Sequence, residues 1–84
     1  MKKSTTKDEL FLLKLHEMAL ASGDATNEID RYVIGQAIGQ NDKGIDTIVK
    51  HLAQANFVKK GDGNVLYLTD NGMGLVDLLL KDFG

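Results

Sequence analysis

Apolar residues recur at helical spacing in four stretches of the chain. The first stretch begins at Lys7 and ends at Ser22-Gly23-Asp24, where a glycine and polar residues stop a helix. Asp8 and Glu9 lie in its first turn, where the helix dipole favours negative charge. We therefore predict a helix from about residue 7 to residue 22. The stripe predicted to be buried consists of Phe11, Leu15, Met18 and Ser22, widened by Leu10, Leu13, Ala19, Leu20 and Ala21.

Two further helical stretches follow, after a loop over 23–29 in which Glu28-Ile29 is predicted to be extended. Asp30 is predicted to cap the second helix, and Gly39-Gln40-Asn41 to end it. Asp42 is predicted to cap the third helix, which reaches about Asn56. The predicted buried faces are Val33, Ile34, Ala37 and Ile38 in the second helix, and Ile45, Ile48, Val49, Leu52 and Ala53 in the third.

A β-hairpin is predicted between the third and fourth helices. Residues 57–60 and 65–69 are rich in strand-forming side chains, and Gly61-Asp62-Gly63-Asn64 between them has the composition of a turn. Asp70 is predicted to cap the last helix. The order of these elements predicts an α+β fold. The apolar stripe of the last helix is predicted to be Met73, Val76, Leu79, Leu80 and Phe83.

Composition narrows the class of protein. With 84 residues, 43% of them hydrophobic and 26% charged, the chain is predicted to form a single folded domain over 1–84, with polar residues 1–6 disordered. Cysteine is absent from the sequence, which rules out a disulfide framework. Acidic residues interrupt the N-terminal apolar run, so we interpret it as a mature N terminus and predict a cytoplasmic protein without a membrane segment.

The segment RYVIGQAIGQNDKGIDTIVK, residues 31–50, has the pattern of a helix-turn-helix, with Gly35 where the helices cross and Gly39 in the turn. The segment HLAQANFVKKGDGNVLYLTDNG follows, with apolar Phe57-Val58, a charged turn and then Tyr67-Leu68-Thr69-Asp70-Asn71-Gly72. Over Asp30 to Leu80 the chain resembles the winged helix-turn-helix family, especially bacterial regulators of the MarR, PadR and ArsR type. The resemblance implies a three-helix core, a β-hairpin wing and a C-terminal helix.

The resemblance also implies that the chain binds double-stranded DNA as a small transcription regulator. The third helix would read the major groove, and the wing, residues 57–69, would contact phosphates. For each candidate the alternative is an ordinary solvated side chain, and an edge strand kept soluble in the case of the wing lysines. The candidate contacts are Asn41, Lys43, Thr47, Lys50, His51 and Gln54 on the helix, with Lys59, Lys60 and Asn64 on the wing.

The charges of the chain include features that favour DNA binding and features that oppose it. The formal net charge is −2, whereas DNA-binding domains are usually basic. From Gln40 to Lys60, four lysines against two aspartates give +2, so the rest of the chain carries −4. Asp46 is unfavourable on a helix that faces phosphates. The alternative function is therefore a winged-helix module that binds protein and not DNA.

Two further expectations concern catalysis and partners. No serine–histidine–acid arrangement, paired carboxylates or phosphate-binding loop is recognisable, so we predict that the chain is not an enzyme and needs no cofactor or metal. The terminal helices of the resembled family often pair two subunits. A homodimer through the first and last helices is therefore predicted from an excess of leucines: Leu12, Leu20, Leu75 and Leu78.

Overall fold

A computed structural model describes residues 6–83, with the backbone alone for 82 and 83. These residues form four helices and a three-stranded antiparallel sheet, which confirms the predicted α+β class. The disorder predicted for residues 1–6 concerns positions that lie, apart from Thr6, outside the described residues. In chain order the elements are α1 (Lys7–Ala21), β1 (Ile29–Asp30), α2 (Arg31–Ala37), α3 (Asp42–Gln54), β2 (Val58–Lys60), β3 (Val65–Leu68) and α4 (Asp70–Phe83).

Polar side chains begin each helix by accepting hydrogen bonds from backbone N–H groups that have no partner within the helix. Thr6 and Glu9 form a reciprocal capping box at α1, and Asp30 caps α2 as predicted. The prediction for α3 was wrong by one residue, because the Asn41 side chain is the acceptor, 2.8 Å from the backbone N of Gly44. Asp42 is instead the first helical residue.

The cap predicted for α4 is also displaced by one residue. The Thr69 hydroxyl accepts from the backbone N of Gly72 at 3.0 Å, and the same hydroxyl donates to the carbonyl of Asn56. Asp70 follows as the first residue of the helix. A threonine oxygen can serve both contacts because it is donor and acceptor at once. Thr69 thereby ties the start of α4 to the chain that leaves α3.

Helices α2 and α3 cross at Gly35. A methyl group built on Gly35 would overlap the side chain of Ile45, which is itself fully buried. The turn between the helices uses Gly39 at φ +78°, in the left-handed region that glycine adopts without steric cost. Both glycines therefore occupy the roles that the sequence pattern predicted for them.

The sheet has the order β1-β3-β2, so the hairpin predicted from sequence gains a third strand. Ile29 pairs with Leu66 and Asp30 pairs with Val65. This pairing continues past the strand, because the backbone N of Arg31 donates to the carbonyl of Asn64 at 2.9 Å. The hairpin turn is thus connected through the backbone to the start of α2.

The core lies between the helices and one face of the sheet, and it corrects several sequence predictions. Leu12 is fully buried, and Leu75 is partly buried against the core, so neither leucine remains for a dimer contact of the kind predicted. The buried side of α1 is rotated towards Leu12 because it packs on α2, α3 and α4 together. The buried cluster consists of Phe11, Leu12, Leu15, Ile34, Ile45, Ile48, Val49, Leu52, Val58, Leu66, Leu68 and Val76.

Other apolar residues that were predicted to be buried face solvent. Val33 is 54% exposed and Ala37 is also exposed. The helix α2 is short, and its buried residues are Ile34 and Gly35. Leu80 is 47% exposed. On α1, Leu10, Leu20 and Ala21 are exposed as well, and the side chain of Phe83 lies outside the described residues. Within residues 6–83, no helix has both the length and the apolar character needed to cross a membrane.

The close crossing predicts opposite effects of alanine at two helical glycines. Gly35→Ala should lower the free energy of unfolding by about 1–3 kcal/mol, because the new methyl group overpacks the contact with Ile45. Gly74→Ala in α4 should raise it by about 0.5–1 kcal/mol, since nothing lies within 4 Å of that site and alanine favours helix. Urea unfolding of both variants measures the difference. Equal free energies of unfolding for the two variants would contradict the close contact of α2 with α3 at Gly35.

Candidate nucleic-acid interface

Four of the predicted contact residues lie together on the outer side of α3. Lys43, Thr47, Lys50 and Gln54 are spaced by four, three and four residues, which places them on one face of a helix. All four are exposed. The opposite side of α3 is buried through Ile45, Ile48, Val49 and Leu52. We call the exposed row formed by residues 43, 47, 50 and 54 the α3 stripe.

Two other predicted residues of this helix lie off the stripe. The Asn41 side chain is exposed, and its oxygen caps the helix. His51 lies at the margin that faces α1, with its Nδ1 3.3 Å from Oδ2 of Asp8. The structure therefore brings together four of the six helical candidates and engages the other two in contacts within the fold.

Asp46, the unfavourable acid of the sequence analysis, lies at the other margin of the stripe and is held by α2. Its Oδ1 accepts from the Tyr32 hydroxyl at 2.8 Å and lies 3.5 Å from Nη1 of Arg31. The hydrogen bond to Asp46 raises the pKa of Tyr32 above its ordinary value, because only the protonated phenol can donate it, and the negative charge of Asp46 acts in the same direction. Asp46 is thus paired with a cation and a donor from α2.

Arg31 is the site residue that sequence reasoning missed. It is the only arginine in the chain, and its side chain is 13% exposed. Besides Asp46, its Nε lies 3.5 Å from the carbonyl of Asn64 in the hairpin turn. The arginine stands directly after the predicted cap Asp30, which marks it only as the start of a helix. Its partners are distant in sequence, so the local pattern could not reveal them.

The two hairpin lysines point to opposite sides of the sheet, because successive side chains of a strand alternate. Lys59 shares a face with its cross-strand partner Tyr67, and this face opens onto a cleft of about 490 Å³. Lys60 shares the face that carries Val58 and Leu66 and is directed to the helical side. Only one of the two lysines can therefore lie on the same side of the sheet as the helices.

Positive charge is available on this part of the surface. None of the carboxylates described within residues 6–81 lies within ion-pair distance of Lys43, Lys50, Lys59 or Lys60. All four lysines are exposed. In the same part of the chain, histidine and acidic side chains form no cluster of three or more that could hold a metal ion. The arrangement can therefore attract anions through lysine side chains.

Comparison of the chain with protein-family models, with curated proteins and with solved structures finds no match. Any assignment of function to this chain therefore depends on its own geometry.

The contact between Tyr32 and Asp46 can be measured by titration. In a Tyr67→Phe background Tyr32 is the only tyrosine, and its absorbance should titrate above the ordinary pKa of 10.0. Adding Asp46→Asn should lower the pKa of Tyr32, because the anionic acceptor is removed. Because the folded-state pKa is the higher one, the contact stabilises the fold below about pH 10 and this stabilisation disappears at higher pH. Identical midpoints with and without Asp46 would contradict the contact.

Proposed function

We propose that the chain is a winged helix-turn-helix protein that binds double-stranded DNA and acts as a small transcription regulator. In this proposal α3 enters the major groove and the β2–β3 hairpin is the wing. The observation that carries the proposal is the α3 stripe, a row of polar and cationic side chains opposite the buried face of the helix that follows the turn. The order of the elements, with two helices, a turn and a hairpin, supports the same assignment.

The side chains of the stripe have the chemistry that groove recognition requires. Lysine can bind guanine or phosphate, glutamine can pair with adenine, and threonine can contact a base or the backbone. The helix has 13 residues and is therefore about 20 Å long, enough to follow a groove about 12 Å wide. Lys43 lies near the N-terminal end, which in such proteins contacts base edges.

The charge of the chain is compatible with DNA binding through a limited surface. Asp46 is paired with Arg31, so its negative charge beside the stripe is partly compensated. Lys60 lies on the helical side of the hairpin and can add a phosphate contact. Away from this surface the chain is acidic, which disfavours contact with DNA in other orientations. We therefore expect an affinity that depends strongly on the lysines of this surface.

We further propose a homodimer through α1 and α4, which pack against each other in the fold. Leu20 of α1 is 53% exposed and Leu78 of α4 is 61% exposed, and Leu80 adds to the apolar surface. A two-fold axis beside these helices would bring the same leucines of both subunits together. Two copies of the α3 stripe would then face one DNA molecule, and this would strengthen a weak single contact.

The second candidate function is a protein-binding winged helix without a role on DNA. The observation that favours it is the set of exposed leucines on α1 and α4 together with the net charge of −2. The two functions differ in the surface they use, since DNA requires the α3 stripe and a protein partner requires the exposed leucines. Substitutions on the α3 stripe therefore separate the two functions, whereas the exposed leucines belong both to the proposed dimer and to the protein-binding candidate.

The DNA proposal predicts a specific effect of the stripe lysines. Titration of the protein with duplex DNA at low salt should show binding that weakens steeply as salt rises. Lys43→Ala combined with Lys50→Ala should weaken binding and reduce the slope of log K against log salt by about 2, because two phosphates are no longer neutralised by lysine.

The matched control is Lys14→Ala combined with Lys81→Ala, which changes the net charge equally on α1 and α4. This control should keep the salt slope of the unsubstituted protein. Equally weakened binding in both double variants would show that net charge alone matters and would contradict binding through the stripe. Absence of binding at low salt would contradict the DNA proposal and favour the protein-binding candidate.

The dimer proposal predicts a mass near twice 9.2 kDa in solution, measured by sedimentation equilibrium. Leu20→Gln combined with Leu78→Gln should shift the protein towards monomer, because glutamine removes the apolar surface that would be buried between the subunits. Val33→Gln removes a similarly exposed apolar side chain from α2 and should leave the mass unchanged. A monomer at high concentration without any substitution would contradict the dimer.

A further inference from the structure

Arg31 joins three elements of the candidate interface. It is the first residue of α2, its guanidinium faces Asp46 of α3, and both its backbone N and its Nε are directed at the carbonyl of Asn64 in the hairpin turn. Tyr32 holds the same carboxylate from the next position of α2. The strands of the hairpin also pack on α3 through the core cluster, to which Val58, Leu66 and Leu68 belong, whereas the contacts of Arg31 are made at the hairpin turn.

We propose that Arg31 is a positioning residue that fixes the hairpin turn relative to the α3 stripe, so that the helix and Lys60 can contact one DNA duplex together. This inference rests on the proposed function. It also explains why an aspartate lies beside the α3 stripe, because the carboxylate of Asp46 anchors Arg31 and does not itself contact a base.

The geometry suits arginine and not lysine. A guanidinium presents several N–H donors in a fixed plane, so Nη1 can face the carboxylate while Nε faces the carbonyl. A lysine carries one ammonium group on a flexible stem and cannot hold two acceptors in one orientation. The Arg31 side chain is 13% exposed and that of Asp46 is 54% exposed, so the arginine stem is covered while the ion pair lies at the surface.

The first part of the test examines the contact without DNA. Because the chain has one arginine, its Nε–Hε group gives a single NMR signal. In the unsubstituted protein we expect this proton to exchange slowly with water. Asp46→Ala should accelerate the exchange, and the control Asp62→Ala, which removes an equal charge from the hairpin turn, should not. Equally fast exchange in all three proteins would overturn the inference.

The second part measures binding of duplex DNA. Arg31→Lys keeps the net charge and the backbone contact to Asn64 but should weaken binding at least about fivefold, since the guanidinium no longer couples the hairpin turn to Asp46 of α3. The slope of log K against log salt should fall by about 0.9 for each phosphate that the variant no longer binds. A purely structural role would lower the unfolding free energy without changing this slope in the folded protein, so circular dichroism must first show an intact fold.

Asp46→Ala provides the decisive comparison with Asp62→Ala. Each variant removes one negative charge, which by itself strengthens binding to DNA. We expect Asp62→Ala to bind more tightly than the unsubstituted protein and Asp46→Ala to bind more weakly. Equally tighter DNA binding by Asp46→Ala and Asp62→Ala would overturn the positioning role while the DNA proposal stands. An unchanged salt slope in Arg31→Lys would have the same consequence. No binding by the unsubstituted protein would instead overturn the proposed function, and with it the role of Arg31 on DNA.

Discussion

Helices α2 and α3 can approach as closely as they do only because residue 35 has no side chain. Ile45 occupies the space that a larger residue would need, and its complete burial fixes the rotation of α3 about its own axis. Once that rotation is fixed, the helical period decides which side chains face outwards. The α3 stripe and the engagement of Asp46 by α2 both follow from this crossing, so the candidate interface depends on the contact between two residues inside the fold.

Local sequence patterns were sufficient to predict the helices and the hairpin, but not how these elements pack against one another. The helices and the hairpin could be predicted because apolar residues recur in them with a characteristic period. The glycines at the crossing and in the turn could be predicted because a short segment already reveals the backbone requirement at each position. The caps were displaced by one residue at Asn41 and Thr69, since neighbouring polar side chains compete for the same backbone groups. The burial of Leu12 could not be predicted, because it depends on three helices that meet α1 at once.

The same distinction applies to the candidate site. The exposed positions of α3 follow from its amphipathic pattern, so the stripe could be predicted from sequence. Arg31 could not, because its acceptors on α3 and in the hairpin turn are brought to it only by the tertiary fold. Of the acidic residues near the four lysines, Asp46 is paired within the fold, whereas Asp42 of α3 and Asp62 of the hairpin turn are exposed.

The most direct test of the proposed interface is a map of backbone amide NMR shifts during titration with a short DNA duplex at low salt. The proposal predicts shifts that are concentrated in residues 43–54 of α3 and in 59–64 of the hairpin, with α1 and the outer side of α4 unchanged by DNA. Shifts concentrated around Leu20 and Leu78, or no shifts at all, would contradict the proposal and show that the α3 stripe is an ordinary solvated surface.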